Sequence, residues 1–290
     1  MAGIGLERIS AFVMAVPDLV GARESFVRLG LSVTAPAPVG EAGLECCLCS
    51  VGGPDRSVRV ELLSFRDLDR ANVEARHEQL VRLIDAGGGS YQLGLEVSDA
   101  DVARSVLNAE PGGLDERLVT MGGGSAVRIL APRDTSVCGC RYVIVDHSSV
   151  GDHADTAMRD SPFPMKRVDH IALVPPEIEA GTRYWTDVLG VPVYGEVPGP
   201  GFLIRQLQVG DIMVELLASD DPNGPLAGAA PGLRPTVACE VEDVHASVAM
   251  ARERGFTVPD PGPGALPGTL VAIISPEELA GLSLQLLQYV

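Results

Sequence analysis

A single imidazole interrupts an otherwise apolar strand pattern in Arg167-Val168-Asp169-His170-Ile171-Ala172-Leu173-Val174. A histidine in that setting is a metal ligand, a group that gives and takes protons, or a core residue whose nitrogens are satisfied by neighbours. Glu215 lies between Val214 and Leu216 in a second apolar run, where an ionised carboxylate needs a partner. Brought together in one cleft, His170 and Glu215 could hold a divalent cation or move a proton. The first half of the chain repeats the pattern as Arg8-Ile9-Ser10-Ala11-Phe12-Val13-Met14-Ala15, with Ala11 where the histidine would stand, and it has its own strand carboxylate in Glu61. Arg205 is a candidate either for pairing with an acidic residue or for clamping an anionic substrate.

The elements that must position these residues recur. After the strand at 8–15 come Pro17-Asp18, a helical segment to about Arg28, Leu29-Gly30 and a strand; after the strand at 167–174 come Pro176-Glu177, a helical segment to about Val188, Leu189-Gly190 and a strand. Each unit closes on a matching run, Val60-Glu61-Leu62-Leu63 and Val214-Glu215-Leu216-Leu217. A further pair opens with Leu95-Glu96-Val97-Ser98-Asp99 and Cys239-Glu240-Val241-Glu242-Asp243, whose aspartates suit helix N-termini. The pattern predicts four β-α-β-β-β modules, two in each half. It divides the chain into a first domain over 1–146, a linker over 147–166 and a second domain over 167–290. His147 and His153, among Asp146, Asp152 and Asp155, read as part of a solvated loop. The stretches 67–89 and 219–235 read as crossovers between modules, of a length that suits lids or binding loops.

Composition narrows the partners. With 290 residues, 46% of them hydrophobic, the chain has the makings of two buried cores. Its 39 acidic against 22 basic residues give a net charge of −17, which disfavours nucleic acid and anionic membrane surfaces. A small molecule or a second copy of the chain is the expected partner, as a monomer or homodimer. The N-terminus lacks the basic start and apolar core of a secretory signal, and no run reaches transmembrane length, so a cytoplasmic protein is expected. Cys46, Cys47, Cys49, Cys138, Cys140 and Cys239 all fall in strand-like segments and are expected to be reduced and buried. Cys46 and Cys49 have the two-residue spacing of a zinc site, but Cys138 and Cys140 are too close in sequence to supply the matching pair. Tyr184 and Trp185 read as core on the module helix, and His77 and His245 as surface residues.

Val168-Asp169-His170-Ile171-Ala172, Val214-Glu215-Leu216-Leu217, Glu240-Val241-Glu242-Asp243 and Gly281-Leu282-Ser283-Leu284-Gln285-Leu286 together resemble the vicinal oxygen chelate superfamily. That superfamily includes glyoxalase I, methylmalonyl-CoA epimerase, extradiol dioxygenases and bleomycin-resistance proteins, and the second domain is most similar to the epimerase. The resemblance implies an α+β fold of two domains, each of two paired modules forming a curled mixed sheet around a cleft. It also implies a divalent metal held by one residue from the first and one from the last strand of each module. Carried over, the four positions are His170, Glu215, Thr236 and Gln285 in the second domain, and Ala11, Glu61, Gln92 and Val143 in the first. A threonine hydroxyl is a poor donor to such a cation, and a glutamine amide brings no charge. The resemblance therefore implies weak metal binding or none, with His170, Glu215 and Gln285 as the metal set, and no catalytic metal in the first domain. The epimerases' base carboxylate position is occupied by Ile204, followed by Arg205 and Gln206. Of the two histidines and one glutamate of the extradiol dioxygenases, only His170 is present.

The resulting expectation is a small-molecule enzyme of lyase or isomerase type, acting on a carbonyl or enolate substrate in the second-domain cleft. His170, Glu215 and Gln285 are the expected catalytic residues, and Thr236, Gln206, Arg205, Glu61 and Gln92 the expected substrate contacts. The alternatives are a metal-free protein that binds an antibiotic or metabolite and, behind it, a ring-cleaving dioxygenase.

Overall fold

The structure, a computed structural model, describes residues 3–40, 43–51, 58–66, 77–120, 126–146, 161–219, 221–224, 226 and 228–290. His147, His153, Asp152 and Asp155 lie outside the described residues.

The first half runs β1 (Leu6–Ala15), α1 (Leu19–Leu29), β2 (Ala37–Val39), β3 (Leu44–Val51), β4 (Val58–Phe65), α2 (Glu78–Asp85), β5 (Gly89–Val97), α3 (Ala100–Ala109), β6 (Leu114–Thr120), β7 (Ala126–Pro132) and β8 (Tyr142–Asp146). The second runs β9 (Met165–Val174), α4 (Ile178–Arg183) continued by a π-helical turn (Tyr184–Val188), β10 (Val193–Gly199), β11 (Phe202–Val209), β12 (Ile212–Ala218), β13 (Gly232–Val241), α5 (Val244–Glu253), β14 (Gly262–Pro263), β15 (Thr269–Ile274) and β16 (Ser283–Tyr289). Each half forms an eight-stranded mixed sheet, in the orders β2-β3-β4-β1-β5-β8-β7-β6 and β10-β11-β12-β9-β13-β16-β15-β14. The expected β-α-β-β-β modules are all present. In each, the last strand returns parallel to the first, as β4 does to β1 and β12 to β9, and the first strands of paired modules meet antiparallel.

Aspartates start three of the module helices by accepting from otherwise free amides. Asp18 accepts from Gly21, Asp99 from Asp101 and Val102, and Asp243 from Ala246. The fourth helix has no such cap. It widens into the π-helical turn, from which Trp185, fully buried, donates its indole N–H to the Cys138 carbonyl at 3.1 Å, while the Tyr184 and Tyr142 hydroxyls bond at 2.7 Å. The two halves are thereby fastened together, and one apolar core runs from Phe12 and Phe26 through Tyr142 to Trp185 and Leu216. Gly139, at φ +85°, permits the contact on the other side: a Cβ there would stand 2.9 Å from the Pro175 backbone.

Three expectations change. The stretch 67–89 contains α2, whose sequence Glu78-Gln79-Leu80-Val81-Arg82-Leu83-Ile84-Asp85 places Leu80, Leu83 and Ile84 at helical spacing. His77, at its start, is buried and meets the Phe65 ring edge-on with centroids 6.1 Å apart, because α2 lies on the sheet rather than in solvent. The end of the proposed linker is docked: Phe163 is 1% exposed in the shared core, and β9 begins at Met165. All six cysteines are free and buried. Cys46 faces one side of β3 and Cys49 the other, in separate apolar clusters, so their spacing does not make a shared ligand pair.

Candidate active site

The second sheet encloses a cavity of about 760 Å³, within the range of small-molecule pockets. The register supports the strand correspondences drawn from the sequence. His170 on β9 pairs with Met213 on β12 and with Ala238 on β13; Ala238 in turn pairs with Gln285 on β16. In the first sheet Ala11 pairs with Arg59 and Gly94, and Gly94 with Val143. His170 and Ala11 are therefore structural equivalents, as are Gln285 and Val143.

A β-bulge decides which side chains reach the cavity. Ala238 pairs with His170 but the next residue, Cys239, pairs with Val168, so Asp169 is an extra residue without an opposite number. Strict alternation would send Asp169 and His170 to opposite faces. The bulge instead leaves both on the cavity side, with Val168 and Ile171 in the core.

Asp169 is the centre of the polar cluster. Its carboxylate, 8% exposed, accepts from Arg167 Nη2 at 2.7 Å and from the Tyr289 hydroxyl at 3.0 and 3.1 Å, and it bonds His170 Nδ1 at 3.0 Å. Arg167 is held further by Glu240 at 2.8 Å and by the Asp211 carbonyl at 3.0 Å. With Nδ1 donating to Asp169, the other ring nitrogen, Nε2, faces Glu215 Oε2 at 3.9 Å. The second Glu215 oxygen accepts from Gln206 Nε2 at 3.1 Å.

Electrostatics follow from this geometry. Burial alone would lower the His170 pKa, but the Asp169 hydrogen bond and the Glu215 charge outweigh it and raise the value above 6.5. Burial would raise the Asp169 pKa, but its bonds to His170 and Tyr289 and the Arg167 charge hold it below the ordinary carboxylate value. Desolvation and the Asp169 charge push the Tyr289 phenol up to about 12, keeping it a donor at neutral pH. The arrangement is an imidazole whose Nδ1 is anchored and whose protonated form is favoured, with a carboxylate across from Nε2.

Of the residues expected at the site, His170, Glu215, Gln206, Thr236 and Gln285 all line this cavity. Thr236 and Gln285 make no side-chain hydrogen bond to any described residue, which leaves them for a ligand. Arg205 does not join them: it bonds Glu196 at 2.7 Å, Glu179 at 3.0 Å and the Thr182 hydroxyl at 2.9 Å. Asp169, Tyr289, Arg167 and Arg234 line the cavity and were not singled out from sequence. Asp169 carried a signal, since a carboxylate beside a strand histidine is an unusual neighbour to bury.

Glu61 and Gln92 lie in the other sheet, away from this cavity, and Gln92 accepts from Arg141 at 3.2 Å. The first-domain face equivalent to the cavity is filled by the chain itself. Leu80 of α2, fully buried, packs with Ala11, Val13, Ala15, Leu63 and Tyr91, and Leu83 and Ile84 cover them. Val143 belongs to a small apolar cluster with Val127, Ile129 and Ala131. An imidazole at position 11 would have no polar cleft to face, which accounts for Ala11.

The divalent metal implied by the resemblance can be tested against these donors. His170 and Glu215 stand as neighbouring ligands would, but the remaining positions are Thr236 and Gln285, and one Glu215 oxygen is already bonded to Gln206. Among the described residues no group of three or more His, Cys, Asp or Glu could share an ion. One imidazole, one carboxylate and neutral oxygens do not fit a resident divalent cation.

Comparison with known proteins agrees with the fold. Residues 169–272 match the family model described as Glyoxalase/Bleomycin resistance protein/Dioxygenase superfamily. A mutant of 4-hydroxymandelate synthase from Streptomyces coelicolor has a TM-score of 0.64 at 17% identity, covering 98% of this chain and 93% of that one. Methylmalonyl-CoA epimerase from Mycobacterium tuberculosis has a TM-score of 0.40 at 20% identity, covering 43% of this chain and 89% of that one. A hypothetical protein from Bacillus halodurans has a TM-score of 0.39 at 22% identity, covering 43% of this chain and 94% of that one. No curated protein matches the sequence. The chain thus shares its fold with the 4-hydroxymandelate synthase structure along nearly its whole length, and residues 169–272 carry the sequence pattern of the superfamily.

Proposed function

We propose that this protein of the glyoxalase-like superfamily catalyses metal-independent proton transfer beside a carbonyl in the second-domain cavity, chemistry of the isomerase or lyase type. The observation that carries the reading is the Asp169–His170 hydrogen bond at 3.0 Å, which anchors Nδ1 and leaves Nε2 toward Glu215 and the cavity. Glu215 takes the proton from the carbon next to the carbonyl as that C–H bond breaks. His170 donates from Nε2 to the oxygen on which the negative charge develops, and so stabilises the enolate. Return of the proton to carbon regenerates both groups, so no oxidant or further reactant is needed. Gln206 orients Glu215, while Thr236 and Gln285 offer hydrogen bonds to substrate oxygens. Ile204, at the position of the epimerases' base, lines the cavity as an apolar wall and leaves Glu215 to serve as the base.

The test is exchange of the carbon-bound proton of 2-oxo acids in deuterium oxide, followed by NMR. Exchange catalysed by the wild type and lost in Glu215→Gln and His170→Gln supports the reading. Binding of the same compounds without catalysed exchange supports sequestration instead, the reading favoured by the reduced ligand set of the second-domain cavity.

A further inference from the structure

Among the described residues, the proposed chemistry leaves one basic group of the cavity unused. Two arginines line it, and Arg167 is committed to Asp169, Glu240 and the Asp211 carbonyl. Arg234 makes no hydrogen bond or ion pair with any described residue. Its place is built by a second irregularity in β13. Leu233 pairs with Leu173, and the next paired residue, Val237, meets Ile171, so residues 234–236 stand against Ala172 alone. Pro235 in this segment has no N–H to give to a ladder, which suits an interruption of pairing. The irregularity brings Arg234 and Thr236 to the lining of the cavity that His170 also faces.

Much of the remaining wall is apolar and includes Phe202, Ile204, Leu217, Ile273 and Leu287. A ligand that fills this space strips water from the guanidinium, which is unfavourable unless the ligand brings an anion to it. Asp169, Asp211 and Glu215 already line the cavity, and the chain carries a net charge of −17. A singly charged, planar carboxylate therefore suits the site better than a doubly charged phosphate.

We propose that Arg234 binds the carboxylate of the substrate, and that the site takes carboxylic acids with an apolar body. This rests on the proposed proton transfer only for its orientation: with the carboxylate at Arg234, the reactive carbonyl is presented to His170.

The test uses two pairs of probes that differ in charge and hardly in shape, octanoate with octanamide and 4-phenylbutyrate with 4-phenylbutyramide. Calorimetric titration of the full chain at pH 7 is expected to show at least about tenfold tighter binding of the acid in at least one pair, the scale of a charge-assisted hydrogen bond. Arg234→Gln is expected to abolish that preference while leaving amide binding within about twofold, which also shows that the variant is folded. His170→Gln is expected to keep the preference. Equal binding of acid and amide, a preference that survives in Arg234→Gln, or no binding of either pair at millimolar concentration overturns the inference. The two proposals fail separately: a carboxylate preference without catalysed exchange removes the chemistry alone, and exchange without the preference removes the role of Arg234 alone.

Discussion

Replacing Asp169 by Asn removes one charge from the polar cluster and leaves its volume unchanged. The carboxylate is 8% exposed and is bonded to Arg167 at 2.7 Å, Tyr289 at 3.0 Å and His170 at 3.0 Å. Deleting one member of a buried ion pair costs about 3–5 kcal/mol when its partner is left uncompensated. Here Arg167 keeps Glu240 and His170 keeps Glu215, so about 2 kcal/mol is expected near pH 6. Linkage fixes how this changes with pH. Asp169 titrates lower in the folded chain than its ordinary 3.8, so its stabilisation is present above that value and is lost as pH falls through the folded one. His170 titrates higher than 6.5 in the folded chain, so its stabilisation is complete below that value and is lost as pH rises through the folded one. The penalty of Asp169→Asn is therefore larger at about pH 6 than at about pH 9. Urea unfolding of both proteins at the two pH values measures it, and proton NMR of the imidazole C2–H should show the His170 midpoint moving down in the variant. A penalty equal at both pH values, or a midpoint that does not move, refutes the proposed coupling.

Two further substitutions test the frame that holds the site. Leu80→Ala in α2 removes the fully buried side chain that fills the first-domain face, and is expected to cost about 2–5 kcal/mol in urea unfolding. Catalysed exchange at the second site should be unchanged in the folded variant, and loss of exchange at full stability contradicts the filler role. Gly139→Ala places a Cβ 2.9 Å from the Pro175 backbone at φ +85°, and should lower stability by at least about 1–3 kcal/mol. Stability unchanged in that variant would show that the close contact between the halves is not needed.

The repeated architecture was legible because each module carries its own markers. Asp18, Asp99 and Asp243 cap helices as residues of that type do in sequence, and Val60–Leu63 and Val214–Leu217 lie on the strands that return beside the first strand of their modules. His170 and Glu215 were legible because charged or titratable groups inside apolar strands need a reason. Asp169 was legible only as an unusual neighbour of a strand histidine, because strict period-two alternation puts it on the opposite face and the register with β13 is what reveals the bulge. Arg234 was hidden for a similar reason: its segment reads as a Pro- and Gly-rich crossover, although β13 has begun by Gly232. Helix α2 was readable, since Leu80, Leu83 and Ile84 have helical spacing, but its burial depends on a sheet face that has no polar residue at Ala11 or Val13. Arg205 shows the converse, a side chain of suitable chemistry drawn away by Glu179 and Glu196.

In the proposed reaction Glu215 moves a proton while His170, anchored by Asp169, answers the charge that develops on oxygen. Deuterium incorporation at the carbon beside the carbonyl of a 2-oxo acid measures this directly, with protein dialysed against chelator. Exchange is expected to persist after chelation, to fall by at least about a hundredfold in Glu215→Gln, and to decline as pH rises through the His170 titration. Exchange abolished by chelator and restored by a divalent ion, or exchange indifferent to Glu215→Gln, contradicts it.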